Sequence, residues 1–136
     1  MIVDTSALVA AFRREEGYPP IVTALFTEFG YIPTPVLVEF HRVTRLDHNA
    51  INPDAEEMIV RLTAQSIEIL DFDRDAAIAA VRANAAFGSG GGRGGKLNML
   101  DMMVYGAAKA SARPILFMGK DFTATDALIH PASRLW

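Results

Sequence analysis

Four acidic residues lie far apart in this chain, each where a strand or loop is followed by a helix. They are Asp4, Glu39, Asp101 and Asp121, and three have mostly apolar neighbours, in MIVDTSALVA, TPVLVEF and LNMLDMMVYGAA. A carboxylate beside a buried segment costs free energy unless it is hydrogen-bonded, paired or bound to a metal. Four carboxylates that converge would form an oxygen-only site suited to Mg²⁺ or Mn²⁺, which is the chemistry of a metal-dependent nuclease.

The elements that must position these acids follow from the hydrophobic pattern. Short apolar runs predict strands, and they alternate with segments that carry helix-start signals, such as Asn52-Pro53 and Asn98. The predicted strands are 1–3, 31–32, 67–70 and 114–118, and residues 128–129 are a candidate for a last short strand. Strands that alternate with helices predict an α/β fold, in which a parallel sheet is covered on both faces.

The same pattern predicts that the four acids meet at one edge of the sheet. Asp4 and Asp121 follow predicted strands, whereas Glu39 and Asp101 lie early in helices that begin near that edge. Ligands of open parallel sheets bind outside the carboxyl ends of the strands. We therefore expect the four carboxylates to be close together.

Composition limits the class of protein. The 136 residues are 51% apolar and 21% charged, which predicts a single globular domain over residues 1–136. The chain has no cysteine, so disulfides and thiolate metal sites are excluded. We find neither an apolar run of about 20 residues nor a basic segment typical of a signal peptide, and we expect a cytoplasmic protein without a membrane span.

The net charge of −3 argues against a protein that holds nucleic acid by bulk attraction. The four candidate carboxylates account for −4 of that charge, so the rest of the chain carries +1. Transient binding of RNA is compatible with this balance.

Each acid also has a purely structural interpretation. Asp4 is placed to cap a helix, Asp101 has capping-box spacing from Asn98, Glu39 would favour a helix dipole, and Asp121 suits a turn. A catalytically inactive binding module of the same fold, whose acids only cap helices, is therefore the main alternative. An aspartate-nucleophile phosphatase usually has a second Asp two residues after the first, where this chain has Ser6.

Two further features carry less weight. The glycine-rich segment Gly88–Gly95 overlaps a phosphate-loop pattern, but Leu97 stands where that motif needs Ser or Thr, so we predict a mobile flap near the site. We interpret the three histidines as facing the surface or a partner, because none has metal-ligand spacing to another; they are His41, His48 and His130.

The motifs together resemble the PIN-domain family, specifically VapC-type ribonuclease toxins of toxin–antitoxin pairs. The DTSA start, the LN-x-x-D segment and the G-x-DF-x-x-TD segment carry this resemblance over nearly the whole chain. The resemblance implies a three-layer α/β/α fold with a central, mainly parallel sheet. It also implies an Mg²⁺- or Mn²⁺-dependent endoribonuclease, a homodimer and a small cognate antitoxin.

Carried over residue by residue, the family's metal-binding acids fall on Asp4, Glu39, Asp101 and Asp121. Asp4 and Asp101 would hold one ion, and the other two would complete the cluster or a second site. Ser6 matches a position whose hydroxyl supports the site, and Asp126 matches the second acid of the last motif.

Overall fold

The computed structural model describes residues 1–91 and 96–136, and in this part of the chain it contains one parallel sheet. Its strands are β1 (Ile2–Val3), β2 (Gly30–Pro33), β3 (Ile67–Leu70) and β4 (Ile115–Leu116). They lie in the order β3-β2-β1-β4, and every pairing is parallel. The carboxyl ends of β1 and β4 are therefore neighbours, although these strands are far apart in sequence.

Helices flank this sheet, which gives the predicted α/β/α layers and confirms the predicted fold class. They are α1 (Thr5–Arg13), α2 (Tyr18–Thr27), α3 (Thr34–Thr44), α4 (Pro53–Thr63), α5 (Arg74–Phe87) and α6 (Met99–Ser111). The apolar faces of sheet and helices meet in a core that includes Leu8, Ile21, Phe40 and Phe117. No helix in the described ranges is long and apolar enough to cross a membrane.

Helix α3 is shorter than the sequence pattern predicts. Its proline start and later periodicity predict a helix to about His48, but the helix ends at Thr44. The side-chain amide of Asn52 donates to the carbonyl of Thr44 at 3.1 Å, and Arg13 donates to the carbonyl of Val43 at 3.2 Å. These distant donors satisfy terminal carbonyls that a longer helix would have satisfied itself.

Helix α6 lies close against α5 because of a glycine. A Cβ atom at Gly106 would lie 2.3 Å from the carbonyl oxygen of Ala76, a distance that no side chain tolerates. Gly106 therefore lets the two backbones approach each other. This contact fixes the helix whose first turn carries Asp101.

The glycine-rich segment is only partly described. Its ends are joined by a parallel bridge between Gly88 and Leu97, with the amide of Ser89 donating to Leu97 at 2.9 Å. Residues 92–95 lie outside the described residues, and the predicted flap stays a prediction.

Candidate active site

Carboxylates from four separate parts of the chain border one cavity at the carboxyl ends of β1 and β4. The cavity has a volume of about 310 Å³ and is lined by Asp4, Glu39, Asp101 and Asp121 together with Thr5, Ser6, Val9, Glu15, Asn98 and Met118. None of these lining residues is a lysine or an arginine. The described cavity wall therefore concentrates negative charge without a cationic side chain to balance it.

Asp4 joins the end of β1 to the start of α1. It is the N-cap of α1, and its Oδ2 accepts from the Ser6 backbone amide at 2.9 Å and from the Ser6 hydroxyl at 2.5 Å. Burial raises the pKa of Asp4, and the charge of Glu39 raises it further, while the bonds from Ser6 oppose both effects. Asp4 thus caps a helix with one oxygen while sitting where its charge is disfavoured.

Ser6 connects the two strand ends that frame the cavity. Its Oγ donates to Asp4 and accepts from the backbone amide of Met118 at 3.0 Å. The Asp4 amide in turn donates to the carbonyl of Leu116 at 3.0 Å. The first helix and the end of β4 are therefore tied together through the residue that holds Asp4.

Asp101 lies in the first turn of α6 and is half-buried. It forms a capping box with Asn98. The backbone amide of Asn98 donates to Asp101 Oδ2 at 3.0 Å, and the backbone amide of Asp101 donates to Asn98 Oδ1 at 2.9 Å. Burial, followed by the charges of Asp4, Asp121 and Glu39, raises the pKa of Asp101 to about 6. Asp101 is therefore electrostatically coupled to each of the other predicted acids.

The remaining two acids approach the cavity from different sides. Glu39 is half-buried on α3, whereas Asp121 is exposed and follows a turn at Gly119. Gly119 has φ of 119°, and its amide donates to the carbonyl of Arg134 at 2.8 Å. This glycine-specific conformation directs the chain so that Asp121 lies at the cavity mouth.

The donor set suits a hard divalent cation. Every candidate ligand is a carboxylate oxygen, and burial, together with the neighbouring acids, raises the pKa values of Asp4 and Asp101, so a cation would compensate their charge. Thr5, which also lines the cavity, has a buried hydroxyl without a hydrogen-bond partner among the described residues, and a cation-bound water could satisfy it. In the described ranges no three carboxylates or imidazoles are already gathered at metal-ligand spacing, so binding would need side chains to turn inward.

Comparison with known proteins identifies the family of this chain. The PIN-domain family model matches residues 1–128. The chain belongs to the PIN-domain family. Ribonuclease VapC42 of Mycobacterium tuberculosis is 34% identical over 134 residues, which cover 97% of this chain and 98% of that protein. Ribonuclease VapC30 of the same species is 34% identical over 133 residues, covering 93% and 95%. The resemblance of this PIN domain to the VapC type is thereby confirmed.

Solved structures share the fold at low sequence identity. VapBC2 from Rickettsia felis, bound to a DNA fragment from its promoter, has a TM-score of 0.72 at 16% identity and covers 99% of this chain and 97% of that chain. VapC20 of Mycobacterium tuberculosis, a toxin that cleaves the sarcin–ricin loop, has a TM-score of 0.70 at 12% identity, covering 93% and 95%. These likenesses support the PIN-type α/β/α architecture.

The positions of two further acidic residues of this PIN domain do not follow from the motifs. Asp126, which matches the second acid of the last motif, does not line the cavity but is exposed and bonded to Tyr105 and Lys109. Glu15 does line the cavity, although no motif points to it. It follows Arg14, whose left-handed conformation (φ 54°) ends α1 and turns the chain back.

The histidine prediction is wrong for His130. This residue is 6% exposed, its Nε2 lies 2.8 Å from Glu28 Oε2, and its Nδ1 accepts from the Ala132 amide at 3.1 Å. Since Nδ1 is an acceptor, Nε2 carries the proton and donates to Glu28. His130 therefore fastens the C-terminal segment of this PIN domain to the end of α2, and its partner is 102 residues away. In contrast, His48 is exposed and His41 is half-buried.

Proposed function

We propose that this VapC-type PIN domain is the endoribonuclease toxin of a toxin–antitoxin pair and hydrolyses RNA phosphodiester bonds with Mg²⁺ or Mn²⁺. The observation that carries the proposal is the shared cavity of carboxylates, whose described lining residues include no lysine or arginine. The proposed ligands are Asp4, Glu39, Asp101 and Asp121. The kinship with VapC ribonucleases supports the same reaction.

The chain's own contribution is to hold two of the carboxylates, Asp4 and Asp101, in place. Ser6 fixes Asp4 by its Oδ2, and Asn98 fixes Asp101 by its Oδ2, so each acid would present its Oδ1 to the cation. Fixing a ligand through its second oxygen reduces the cost of orienting it. A divalent cation held there would lower the pKa of its water and stabilise charge that develops on the phosphate. Glu39 and Asp121 would complete this site or form a second one.

RNA must approach an acidic cavity, so flanking positive charge is needed. Arg13 at the end of α1 and Arg42 and Arg45 at the end of α3 are exposed, and the bond from Arg13 to Val43 holds these ends together. We propose that these arginines contact RNA phosphates beside Glu39. Phosphate contacts of this kind position a substrate without reading its sequence.

The antitoxin would bind a groove between α1, α2 and α4. The groove has a volume of about 570 Å³, and its wall includes Phe12, Val22, Phe26 and Met58 with Arg14, Asp54, Glu57 and Arg61 on its rim. An apolar floor with charges of both signs suits an amphipathic helix. Antitoxin complexes among the structures that share this fold support an antitoxin as the partner.

We also propose that a homodimer forms through the face between α5 and α6. The shallow cavity there has a volume of about 290 Å³ and is lined by apolar residues such as Phe72, Met102 and Met103. At its edge Val81 is 74% exposed and Met99 is 71% exposed. Exposed apolar side chains that line one cavity form a contiguous patch, which is typical of an interaction surface.

The decisive experiment maps new RNA 5′ ends. Total bacterial RNA is incubated with Mn²⁺ and antitoxin-free protein, beside an Asp101→Asn variant. Asparagine can still accept the bond from the Asn98 amide, so the variant should keep the capping box. Ends that appear only with the unsubstituted protein and Mn²⁺ support the proposed function. Identical maps from two folded proteins would contradict it and favour the alternative of an inactive binding module.

A further inference from the structure

We infer that Tyr105, Lys109 and Asp126 form a clamp that sets the position of Asp121 relative to Asp101. Asp126 is then a positioning residue and not a metal ligand. The inference rests on the proposed function only in assuming that Asp101 and Asp121 bind a cation. The contact itself is independent of that assumption.

Both oxygens of Asp126 are bonded to side chains of α6. The hydroxyl of Tyr105 donates to Oδ1, and the ammonium group of Lys109 donates to Oδ2 at 3.0 Å. Tyr105 is only 5% exposed, so the phenol is held in place by the surrounding packing. The carboxylate of Asp126 is therefore directed at the helix, and to bind a cation it would have to release both donors.

The spacing along α6 connects this contact with the cavity. Asp101, Tyr105 and Lys109 follow one another at intervals of four residues, so they lie along one face of the helix. Asp126 is five residues after Asp121 in the chain. The clamp therefore joins the helix that carries one proposed ligand to the segment that carries another.

The segment between Asp121 and Asp126 is short and internally bonded, so it can transmit this constraint. Phe122 is 1% exposed, and its ring centroid lies 5.0 Å from that of Phe117. The hydroxyl of Thr125 donates to the carbonyl of Phe122 at 2.8 Å and accepts from the Ala127 amide at 3.1 Å. Phe122 is thus one anchor and Asp126 the second. With the second anchor lost, the segment could pivot about Phe122 and move Asp121.

The protonation states of the partners agree with this geometry. Burial and the bond to Asp126 raise the pKa of the Tyr105 phenol, so it stays a proton donor at neutral pH. The bonds from Tyr105 and Lys109 lower the pKa of Asp126, so it stays an ionised acceptor. The clamp is therefore closed across the physiological range.

The test uses Tyr105→Phe, Asp126→Ala and the double variant of the full chain. Mn²⁺ affinity is measured by calorimetry without RNA, and hydrogen–deuterium exchange is followed over residues 119–127. We expect each single variant to weaken Mn²⁺ binding about tenfold, the lower end of the loss typical for residues that orient metal ligands. The double variant should be no weaker than Asp126→Ala alone, because the contact that Tyr105→Phe removes is already lost when Asp126 is absent. Exchange over residues 119–127 should rise in all three.

A matched control removes another hydroxyl from α6. Among the described residues Ser111 bonds only within the helix, to the carbonyls of Ala107 and Ala108, so Ser111→Ala should change neither measurement. Weaker Mn²⁺ binding in Asp126→Ala but not in Tyr105→Phe would overturn the inference, because Asp126 would then be a ligand. Unchanged exchange in Tyr105→Phe would also overturn it. If the unsubstituted protein bound no Mn²⁺, the proposed function would fail, and exchange would still decide whether the clamp exists.

Discussion

Asp101 lies on one face of α6, and Asp126 contacts the same face from another segment. The environments of the two carboxylates are opposite. Asp101 is half-buried beside other acids, accepts a bond from the Asn98 amide, and has a pKa raised to about 6. Asp126 is exposed, accepts from Tyr105 and Lys109, and has a lowered pKa. A carboxylate whose charge is poorly compensated is available to a cation, whereas one with two side-chain donors serves the structure. The environment, and not the residue type, separates the two roles.

RNA cleavage should show the largest difference between variants of Asp101 and Asp126. We expect Asp101→Asn to reduce cleavage about 10³-fold, the scale on which loss of a charge-stabilising group acts in other enzymes. Asp126→Ala should reduce it only about tenfold, because it would shift a ligand without removing one. Initial rates with Mn²⁺ on one RNA measure both. Equal losses in the two variants would remove the distinction between them.

Removing the Ser6 hydroxyl, which bonds to Asp4, should lower the stability of the folded protein. Ser6→Ala deletes a hydroxyl that donates to Asp4 and accepts from the Met118 amide. We expect a loss of about 1–2 kcal/mol in the free energy of unfolding, since polar groups then stay buried without partners. Urea denaturation with a chelator present measures this loss. Thr123→Val removes an exposed hydroxyl that bonds to the Lys120 carbonyl; it is the control and should cost less.

The pH dependence of Mn²⁺ binding should distinguish Asp101 from Asp126. Since the pKa of Asp101 is raised to about 6, protons should compete with the cation as pH falls from neutral. We expect affinity to fall at least about tenfold between pH 7 and pH 5, as the ionised fraction of a group with this pKa does, and the raised pKa of Asp4 would add to the fall. The Asp126→Ala variant should keep the same slope, because Asp126 remains ionised in that range. A flat profile in the unsubstituted protein would argue against Asp101 as a ligand.

The smallest predicted effect is a gain in stability. The folded protein binds the Asp101 proton more tightly than the unfolded chain does, so this group lowers stability as pH rises from about 3.8 to about 6. Asp101→Asn should therefore stabilise the metal-free protein at pH 7 by about 1 kcal/mol, after allowing for solvent screening of a half-buried group. Thermal denaturation with a chelator at pH 7 and pH 4 tests this. A gain of equal size at both pH values would point to a cause other than charge.

Local signals accounted for most of the fold. Cap residues such as Asn52 and Asn98 began helices as predicted, because their side chains bond to amides two or three residues away. The predictions failed where partners were distant in sequence. The end of α3 depends on Arg13 and Asn52, and the burial of His130 depends on Glu28.

The residues of the candidate site also divide into those with a local sequence signal and those placed by distant contacts. Asp4 and Asp101 could be picked out because each lies in an apolar motif at the start of a helix. The position of Glu15 at the cavity and the contact of Asp126 with α6 had no local signal, since both depend on how separate segments pack. Sequence patterns thus identify the acids, whereas tertiary contacts determine which of them share the cavity.

The bond between Ser6 and Met118 has a consequence for synthesis of the chain. These residues are 112 positions apart, and β1 lies between β2 and the late strand β4. Chains emerge from the ribosome at roughly 5–20 residues per second, so the first helix must wait several seconds for this partner. Until then Asp4 lacks the neighbouring strand, and Asp101 and Asp121 have not yet joined it. A nuclease built in this order would stay inert on the ribosome that makes it until nearly the whole domain had been translated.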